Sequence, residues 1–280
     1  MTALHRGAAS RRTLRASMLL VALLAFVAIA APVIAPYSPI KELGLTTMNS
    51  QPPSLAHPFG TDMSSRDVLS RVIYGAQISL AVAAASVALS LLLGTTYGAL
   101  SAMAGGTIDR VMMRLLDVFL ALPRLLVLLA ITALWRDLPW PALALVIGGT
   151  GWYDVARLVR GEVQALLGRD FVLAAKAGGV GSARLLGRHL LPHLLPVLAV
   201  SATLGVAHTI TLEASLGFLG LGVQPPTASW GNVLHSGIGV VDTMWWLTAF
   251  PVLAIVLTVI SCNALGDALR DVFAPEQVPA

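Results

Sequence analysis

Charged residues are scarce in this 280-residue chain, at 11% of the total. Soluble domains contain about 25% charged residues, so the composition excludes an ordinary water-soluble domain. Hydrophobic residues make up 56%, the mean hydropathy is +0.81, and the apolar residues lie in long runs. Runs of this length are typical of helices that cross a bilayer and satisfy their own backbone hydrogen bonds. We therefore predict an all-α polytopic membrane protein.

Lysine and cysteine are also rare, and the motifs of common enzymes are missing. The two lysines are Lys41 and Lys176; neither follows a glycine, so the chain lacks the phosphate-binding loop of an ATPase. The single Cys262 excludes an internal disulfide, and neither HExxH nor GxSxG occurs. His189 and His193 have i, i+4 spacing, but a proline lies between them and no third ligand is near. We predict no metal, no cofactor and no enzymatic activity.

Six apolar runs are predicted to span the membrane. They cover about residues 18–34, 78–100, 118–134, 141–156, 194–216 and 244–265. With the N-terminus in the cytoplasm, thirteen of the 18 lysines and arginines lie inside and four outside. This asymmetry predicts cytoplasmic N- and C-termini, and it explains the net charge of +4 without a nucleic-acid partner. A cleaved signal peptide is the alternative for the first run, which is long for that role.

These runs divide the chain into three parts. Residues 1–76 hold the N-terminal cytoplasmic tail, the first transmembrane helix and a periplasmic loop; residues 77–270 form the transmembrane domain; residues 271–280 are a C-terminal tail. Apolar spacing in residues 65–74 predicts a short amphipathic helix on the membrane surface. Residues 101–117 are predicted to be a cytoplasmic loop, and residues 217–243 an outer loop rich in glycine and proline that forms a tight turn.

Two ionisable residues lie within the predicted spans. Arg124 falls in the third and Glu213 near the outer end of the fifth. A charge at the centre of the bilayer costs about 2.5 kcal/mol or more, so Arg124 faces protein, a wet cavity or an interface. A role on a translocation path is open for both Arg124 and Glu213, and structural pairing is the alternative for Arg124. Gly94 and Gly98 form a GxxxG pattern that predicts close helix packing within the bundle, with a homodimer seam as the alternative.

The segment 161–193, between predicted spans four and five, is too polar to cross the membrane. Two helices are predicted in it, over about residues 162–177 and 182–191, with Gly178-Gly179 as the break. The second is predicted to end at Leu191-Pro192, because proline clashes with a continuing helix. A basic helix–glycine–helix elbow beside the cytoplasmic face indicates a docking element for a soluble partner.

The elbow resembles the cytoplasmic loop in membrane subunits of bacterial ATP-binding-cassette (ABC) importers. That loop reads Glu-Ala-Ala, three residues, Gly, nine residues, an apolar position, any residue and Leu-Pro. Ala174-Ala175, Gly179 and Leu191-Pro192 fall on this spacing. Leu173 stands where the family has glutamate, and His189 stands at the apolar position.

Three further stretches are similar to the C-type subunit of the dipeptide, oligopeptide and nickel permeases. They are HPFGTDMSSRDVLSRVIYGAQISL at residues 57–80, LEASLGFLGLGVQPPTASWGNVL at 212–234 and NALGDALRDVFAP at 263–275. Ser65 stands where that branch commonly has glycine. The resemblance covers about residues 57–275 and therefore almost the whole chain.

The resemblance implies the type I ABC importer fold and a permease subunit of the bacterial inner membrane. Its implied partners are a homologous second permease, two cytoplasmic ATPases that bind the ATP, an external solute-binding protein and membrane lipid. The implied cargo is a peptide or similar small solute, with nickel as another candidate. The residues expected to couple to the ATPase are Ala174, Ala175, Lys176, Gly178, Gly179, Arg184, Arg188, Leu191 and Pro192. A secondary transporter or channel without an ATPase is the alternative function.

Overall fold

The structure is a computed structural model that describes residues 2–41, 50–135 and 137–273, with side chains from residue 13 onward. The predicted C-terminal tail beyond residue 273, residues 42–49 of the predicted periplasmic loop, and Arg136 lie outside this range. The helices are α1 Thr2–Ile29, α2 Ala31–Ile34, α3 Val68–Ala104, α4 Gly106–Leu120, α5 Arg124–Leu134, α6 Trp140–Gly149, α7 Trp152–Leu167, α8 Asp170–Ala177, α9 Ser182–Arg184, a π-helix Leu185–Leu190, α10 Leu191–Phe218, α11 Trp230–His235 and α12 Trp246–Phe273. An isolated β-bridge joins Thr61 and Asp67, and the described residues contain no strand. The all-α fold class is confirmed.

Three uninterrupted helical stretches are long and apolar enough to cross a membrane: Val68–Ala104, Ser182–Phe218 and Trp246–Phe273. Two bent pairs, α4 with α5 and α6 with α7, bring the number to 5 if each pair is one span. Thr13–Ile29 within α1 is a shorter apolar stretch. These elements are compatible with six spans, and the count of six stays a prediction.

The predicted surface helix over residues 65–74 is wrong. From Val68 onward these residues are the first turns of α3, which continues without a break to Ala104. Asp67 caps the helix by accepting a hydrogen bond from the Ser70 backbone N–H at 2.8 Å. The apolar side chains in these turns pack on other protein elements, with Val68 and Val72 in a buried cluster that includes Trp230. The amphipathic pattern therefore reflected burial in protein rather than contact with the membrane surface.

The predicted cytoplasmic loop 101–117 is also wrong, because α3 extends to Ala104 and α4 begins at Gly106. The third predicted span is broken: α4 and α5 meet at an angle of 71° across residues 121–123. Pro123 directly precedes α5 in extended backbone, which a helix passing through that point cannot contain. The fourth predicted span is bent by 42° between α6 and α7.

Helix α3 is the central element of the bundle. It contributes to three buried clusters, which are named by the predicted orientation: an outer cluster with Trp230 and Trp246, a middle cluster with Leu143 and Ile147, and an inner cluster with Val163. On the inner half of α3, Gly94 and Gly98 face α7. A Cβ added at Gly98 would lie only 2.3 Å from the Ala156 carbonyl oxygen. The GxxxG pattern thus packs two helices of the same chain closely.

We expect Gly98→Ala to destabilise the bundle, since the added methyl group forces α3 and α7 apart. Overpacking of this kind costs about 1–3 kcal/mol. The measurement is the thermal unfolding midpoint of the purified protein in detergent. Gly149→Ala is the matched control, because a Cβ there meets nothing within 4 Å. Equal midpoints for the two variants would contradict the close contact.

Candidate functional site: the elbow and the helix breaks

The elbow consists of α8, a glycine turn, α9 and the π-helix. The break predicted at Gly178-Gly179 is confirmed: α8 ends at Ala177, and Gly179 adopts a positive φ of +77°. The Gly179 N–H donates to Lys176 O at 3.0 Å, and the Val180 N–H donates to Ala175 O at 3.1 Å. This pair of hydrogen bonds is a Schellman motif, which requires a left-handed residue and so favours glycine.

The predicted helix boundaries on both sides of this turn differ from the structure. The first predicted helix is divided, because α7 ends at Leu167 and α8 starts at Asp170. The predicted stop at Leu191-Pro192 is wrong, because Ser182–Phe218 is continuous. The π-helical turn over Leu185–Leu190 ends two residues before Pro192. Such a widened turn accommodates a proline ring and its missing N–H inside a membrane helix.

The rear of the elbow is fixed to the bundle by apolar contacts. Val172 of α8 and Leu190 of the π-helix are fully buried, at 0% exposure. They belong to one cluster with Ala102 at the inner end of α3 and Val163 of α7. Phe171 also stacks on His193, with ring centroids 4.8 Å apart. The rear of the elbow therefore packs directly on α3 and α7.

The front of the elbow is exposed and basic. Ala175 is half-buried, and the other eight predicted coupling residues are exposed: Ala174, Lys176, Gly178, Gly179, Arg184, Arg188, Leu191 and Pro192. Leu173, at the position of the family glutamate, is 51% exposed. Within the described residues Lys176, Arg184 and Arg188 have neither an ion pair nor a side-chain hydrogen bond. The predicted coupling residues thus lie on one connected, exposed segment with unsatisfied positive charge.

An ion-pair cluster that the sequence reading missed braces the base of the elbow. Arg160 of α7 donates from Nε to Asp109 Oδ1 at 2.6 Å and from Nη2 to Oδ2 at 2.5 Å. Ser101 of α3 donates to the same carboxylate at 2.6 Å, and Gln164 donates at 3.3 Å. One carboxylate therefore joins α3, α4 and α7. No short-range sequence signal pairs residues 51 positions apart.

Arg124 lies where the two bent spans meet. Its Nη2 donates to the Ile147 carbonyl at 2.8 Å, and its Nε donates to Thr150 Oγ1 at 3.4 Å. Both acceptors are at the C-terminal end of α6, where the fourth span bends. The structural pairing expected for Arg124 is therefore present, and Arg124 also lines a cavity of about 290 Å³ with Tyr153.

Glu213 is fully buried among protein atoms, at 0% exposure. Ser79 Oγ donates to Glu213 Oε2 at 2.9 Å, and the Trp230 backbone N–H donates to Ser79 Oγ at 3.2 Å. The Trp230 ring N–H donates to the Val72 carbonyl at 3.0 Å. These contacts tie α10, α3 and the outer loop together.

The outer loop motifs are largely internal to the fold. The carboxylate of Asp62 pairs with Arg71, and both side chains are at most 2% exposed. Arg71 also donates to Asn232 at 3.5 Å, and Asn232 forms a capping box with Ser229 at the start of α11. Ser65 adopts a left-handed φ of 58°, which explains why glycine suits that position in the resembling permeases.

Comparison with known proteins identifies the family. Residues 90–278 match the family described as the binding-protein-dependent transport system inner membrane component, a match over more than half of the chain. The chain belongs to this family. It is therefore a permease subunit of an ABC importer, a multi-pass inner-membrane protein and not an enzyme. Family membership implies ATPase, substrate-binding and second-permease partners, and the secondary-transporter alternative is set aside.

The permease has similar curated relatives. It is 42% identical over 254 residues to a putative peptide permease protein of Brucella suis, covering 90% of this chain and 83% of that protein. It is 38% identical over 265 residues to the dipeptide transport system permease protein DppC of Bacillus subtilis, covering 93% and 81%. It is 36% identical over 272 residues to the oligopeptide transport system permease protein OppC of the same species, covering 95% and 87%.

A solved structure shares the fold of the permease. The inward-facing MetNI methionine ABC transporter aligns with a TM-score of 0.57 at 18% identity, covering 72% of this chain and 97% of that chain. The type I importer fold expected from the sequence is confirmed by this likeness.

We expect Asp62→Asn to destabilise the permease strongly, since it leaves Arg71 buried without a counter-charge. Removing one partner of a buried ion pair costs about 3–5 kcal/mol. Asp117→Asn is the matched control, because Asp117 pairs with Arg157 at the surface, where both side chains are 55% exposed. Exposed pairs contribute about 0–1 kcal/mol. The unfolding midpoints should therefore differ, and similar midpoints would contradict a structural role for the buried pair.

Proposed function

We propose that this permease forms half of a translocation path for peptides or chemically similar small solutes, in a heterodimer with a homologous permease. Relatives named as peptide, dipeptide and oligopeptide permeases, at 36–42% identity, support the peptide class. Nickel, raised by the resemblance of the sequence, is a second candidate cargo. The heterodimer would bind two cytoplasmic ATPases and receive cargo from an external solute-binding protein.

The observation that supports this proposal most strongly is the exposed elbow with an anchored rear. Its unpaired cations and exposed Leu173 and Leu191 offer an ATPase cleft both charge and apolar surface. Closure of the ATPase pair would push on α8. Val172 would pass the displacement to α7 and to the continuous helix Ser182–Phe218. The bundle would then rock between inward-facing and outward-facing states.

Arg124 is our candidate for a residue that lines the path. It lies at the bend of two spans and beside a cavity. Glu213 is enclosed within this chain, so a role on the path would require the outer loop around Trp230 to move away from Ser79. The outer loops, around residues 57–75 and 217–243, would face the binding protein.

Gly179→Ala should uncouple the importer while the protein still inserts. A side chain in the left-handed conformation costs about 1–2 kcal/mol. If the turn must keep its shape to bind, that cost corresponds to about a 5- to 30-fold loss of ATPase affinity. Co-purification of the ATPase and uptake of a labelled peptide by the reconstituted complex measure the effect.

Gly161→Ala is the control for this substitution. Gly161 is exposed in α7, and an added Cβ meets nothing within 4 Å. Normal ATPase binding and uptake by Gly179→Ala would contradict the coupling role of the elbow.

The proposed orientation places the elbow in the cytoplasm and residues 50–67 outside. In a background with the buried Cys262 replaced by alanine, Ala177→Cys should react with an impermeant maleimide only after the cells are opened. Leu55→Cys, at a fully exposed outer-loop position, should react in intact cells. The reverse pattern would overturn the topology, because both positions are exposed and accessibility then depends on the side of the membrane.

A further inference from the structure

A cavity of about 290 Å³ opens at the breaks of the two bent spans. Its lining includes Phe119 at the end of α4, Arg124 at the start of α5, Thr150 at the bend of the fourth span, and Tyr153 and Asp154 of α7. Phe119 and Tyr153 stack with ring centroids 5.0 Å apart. The cavity therefore combines a cation, a carboxylate and an aromatic wall, contributed by separate elements of the bundle.

The guanidinium of Arg124 is only partly used by the fold. Of its five N–H groups, one on Nε and one on Nη2 donate to Thr150 and Ile147. The other three have no partner among the described residues. Asp154, on the same cavity, is exposed and likewise forms no ion pair or side-chain hydrogen bond within the described part of the chain. Arg124 and Asp154 are close enough to interact electrostatically but form no ion pair, so each keeps hydrogen-bonding capacity for a ligand.

Arg124 lies near mid-depth in the bundle. A Cβ built on Gly151 would be 2.5 Å from Arg124 Nη2 and 2.8 Å from Ser90 Oγ, so Arg124 and Ser90 are at the same level. Ser90 is in the middle third of α3, which runs from Val68 to Ala104. Charges at such depth are costly and typically face a bundle interior or a substrate pathway. A purely structural link to the end of α6 needs a hydrogen-bond donor there but no charge.

We propose that Arg124 binds the carboxylate of a zwitterionic cargo as it crosses the bundle, and that Asp154 of the same cavity receives its ammonium group. Guanidinium groups bind carboxylates through paired, charge-assisted hydrogen bonds, and three N–H groups of Arg124 are available for them. A short peptide with free termini presents these two charges, and Phe119 and Tyr153 offer contact surface to its side chains. This inference rests on the proposed function and adds a recognition step within the permease.

The test is ligand binding to the assembled permease–ATPase complex in nanodiscs, without the solute-binding protein, so that the permease alone discriminates. Saturation-transfer NMR measures apparent dissociation constants for dialanine, dialanine amide and N-acetyl-dialanine. The original complex should prefer dialanine to its amide. Arg124→Gln should lower this preference about tenfold, the loss expected for one charge-assisted interaction. Arg124→Lys, which keeps the charge without the planar fork, should lower it less.

Two further variants separate recognition from structure. Asp154→Asn should reduce the preference for dialanine over N-acetyl-dialanine and leave the preference over the amide unchanged. Gly161→Ala, outside the cavity, is the control, because an added Cβ there meets nothing within 4 Å, and it should leave the affinity for all three probes unchanged. A preference over the amide that is unchanged in both Arg124 variants, or absent from the original complex, would overturn the inference.

Peptide uptake by the complete importer is measured in parallel. If the Arg124 variants take up peptide and prefer dialanine to its amide as strongly as the original complex does, the recognition step is rejected and the proposed function stands. Failure of uptake in the original importer would reject the proposed function as well.

Discussion

The structure depends on one uninterrupted helix that joins the elbow to the outer loop. Ser182–Phe218 contains 37 residues, which corresponds to about 55 Å of helix. Its inner end follows the Schellman turn, and at its outer end Gly217 packs against the backbone of Gly231, where an added Cβ would lie 2.6 Å from the Gly231 Cα. In the proposed mechanism, a helix of this length would transmit a push along its axis, because hydrogen bonds join its successive turns. The two prolines near its inner end would otherwise be a weak point, and the π-helical turn lets the chain contain them without ending the helix.

Helix α3 is the counterpart against which that helix can move. It contributes to all three buried clusters and is held along its length by different chemistry. The outer end is fixed by a buried ion pair and indole hydrogen bonds, and the inner half by backbone contact of Gly98 with α7. Asp109 then joins its inner end to α4 and α7. These ion pairs and hydrogen bonds require a fixed geometry. The apolar contacts in the cluster behind the elbow depend much less on direction. In the proposed mechanism, the arrangement would therefore combine a rigid axis with an elbow that can be displaced.

The sequence was informative where the determining interaction is local. The break at Gly178-Gly179 was predictable because a left-handed turn depends on the residue itself, and the apolar runs located the main helices because burial in lipid needs only composition. The helix over residues 65–74 does not lie on the membrane surface as predicted. An apolar helix face has the same sequence pattern whether it contacts lipid or a buried side chain such as Trp230. Proline does not end the helix at residue 192 as predicted, because the preceding π-helical turn accommodates its ring and its missing N–H. The Asp109–Arg160 and Asp62–Arg71 pairs depend on tertiary packing. From the sequence alone, these arginines indicate only on which side of the membrane a loop lies, because their carboxylate partners are distant along the chain.

The charge on the elbow limits what its partner can be. Between residues 169 and 192 the chain has four cations, Arg169, Lys176, Arg184 and Arg188, and one carboxylate, Asp170. Since the glutamate of the related loops is replaced by Leu173, a cation in the partner would find one negative group fewer than in the family pattern. The complementary cleft would be acidic at its rim and apolar opposite Leu173. Removing an exposed leucine from water lowers the free energy, whereas removing a charge from water without a partner raises it. A subunit adapted to the glutamate-containing loop would bury a polar group against leucine, and such mismatches discriminate between similar partners more strongly than lost apolar contact does. If the elbow binds the ATPase as proposed, this replacement of one residue would affect which ATPase the permease accepts. The turn at Gly179 and the buried contacts of Val172 do not involve the Leu173 side chain.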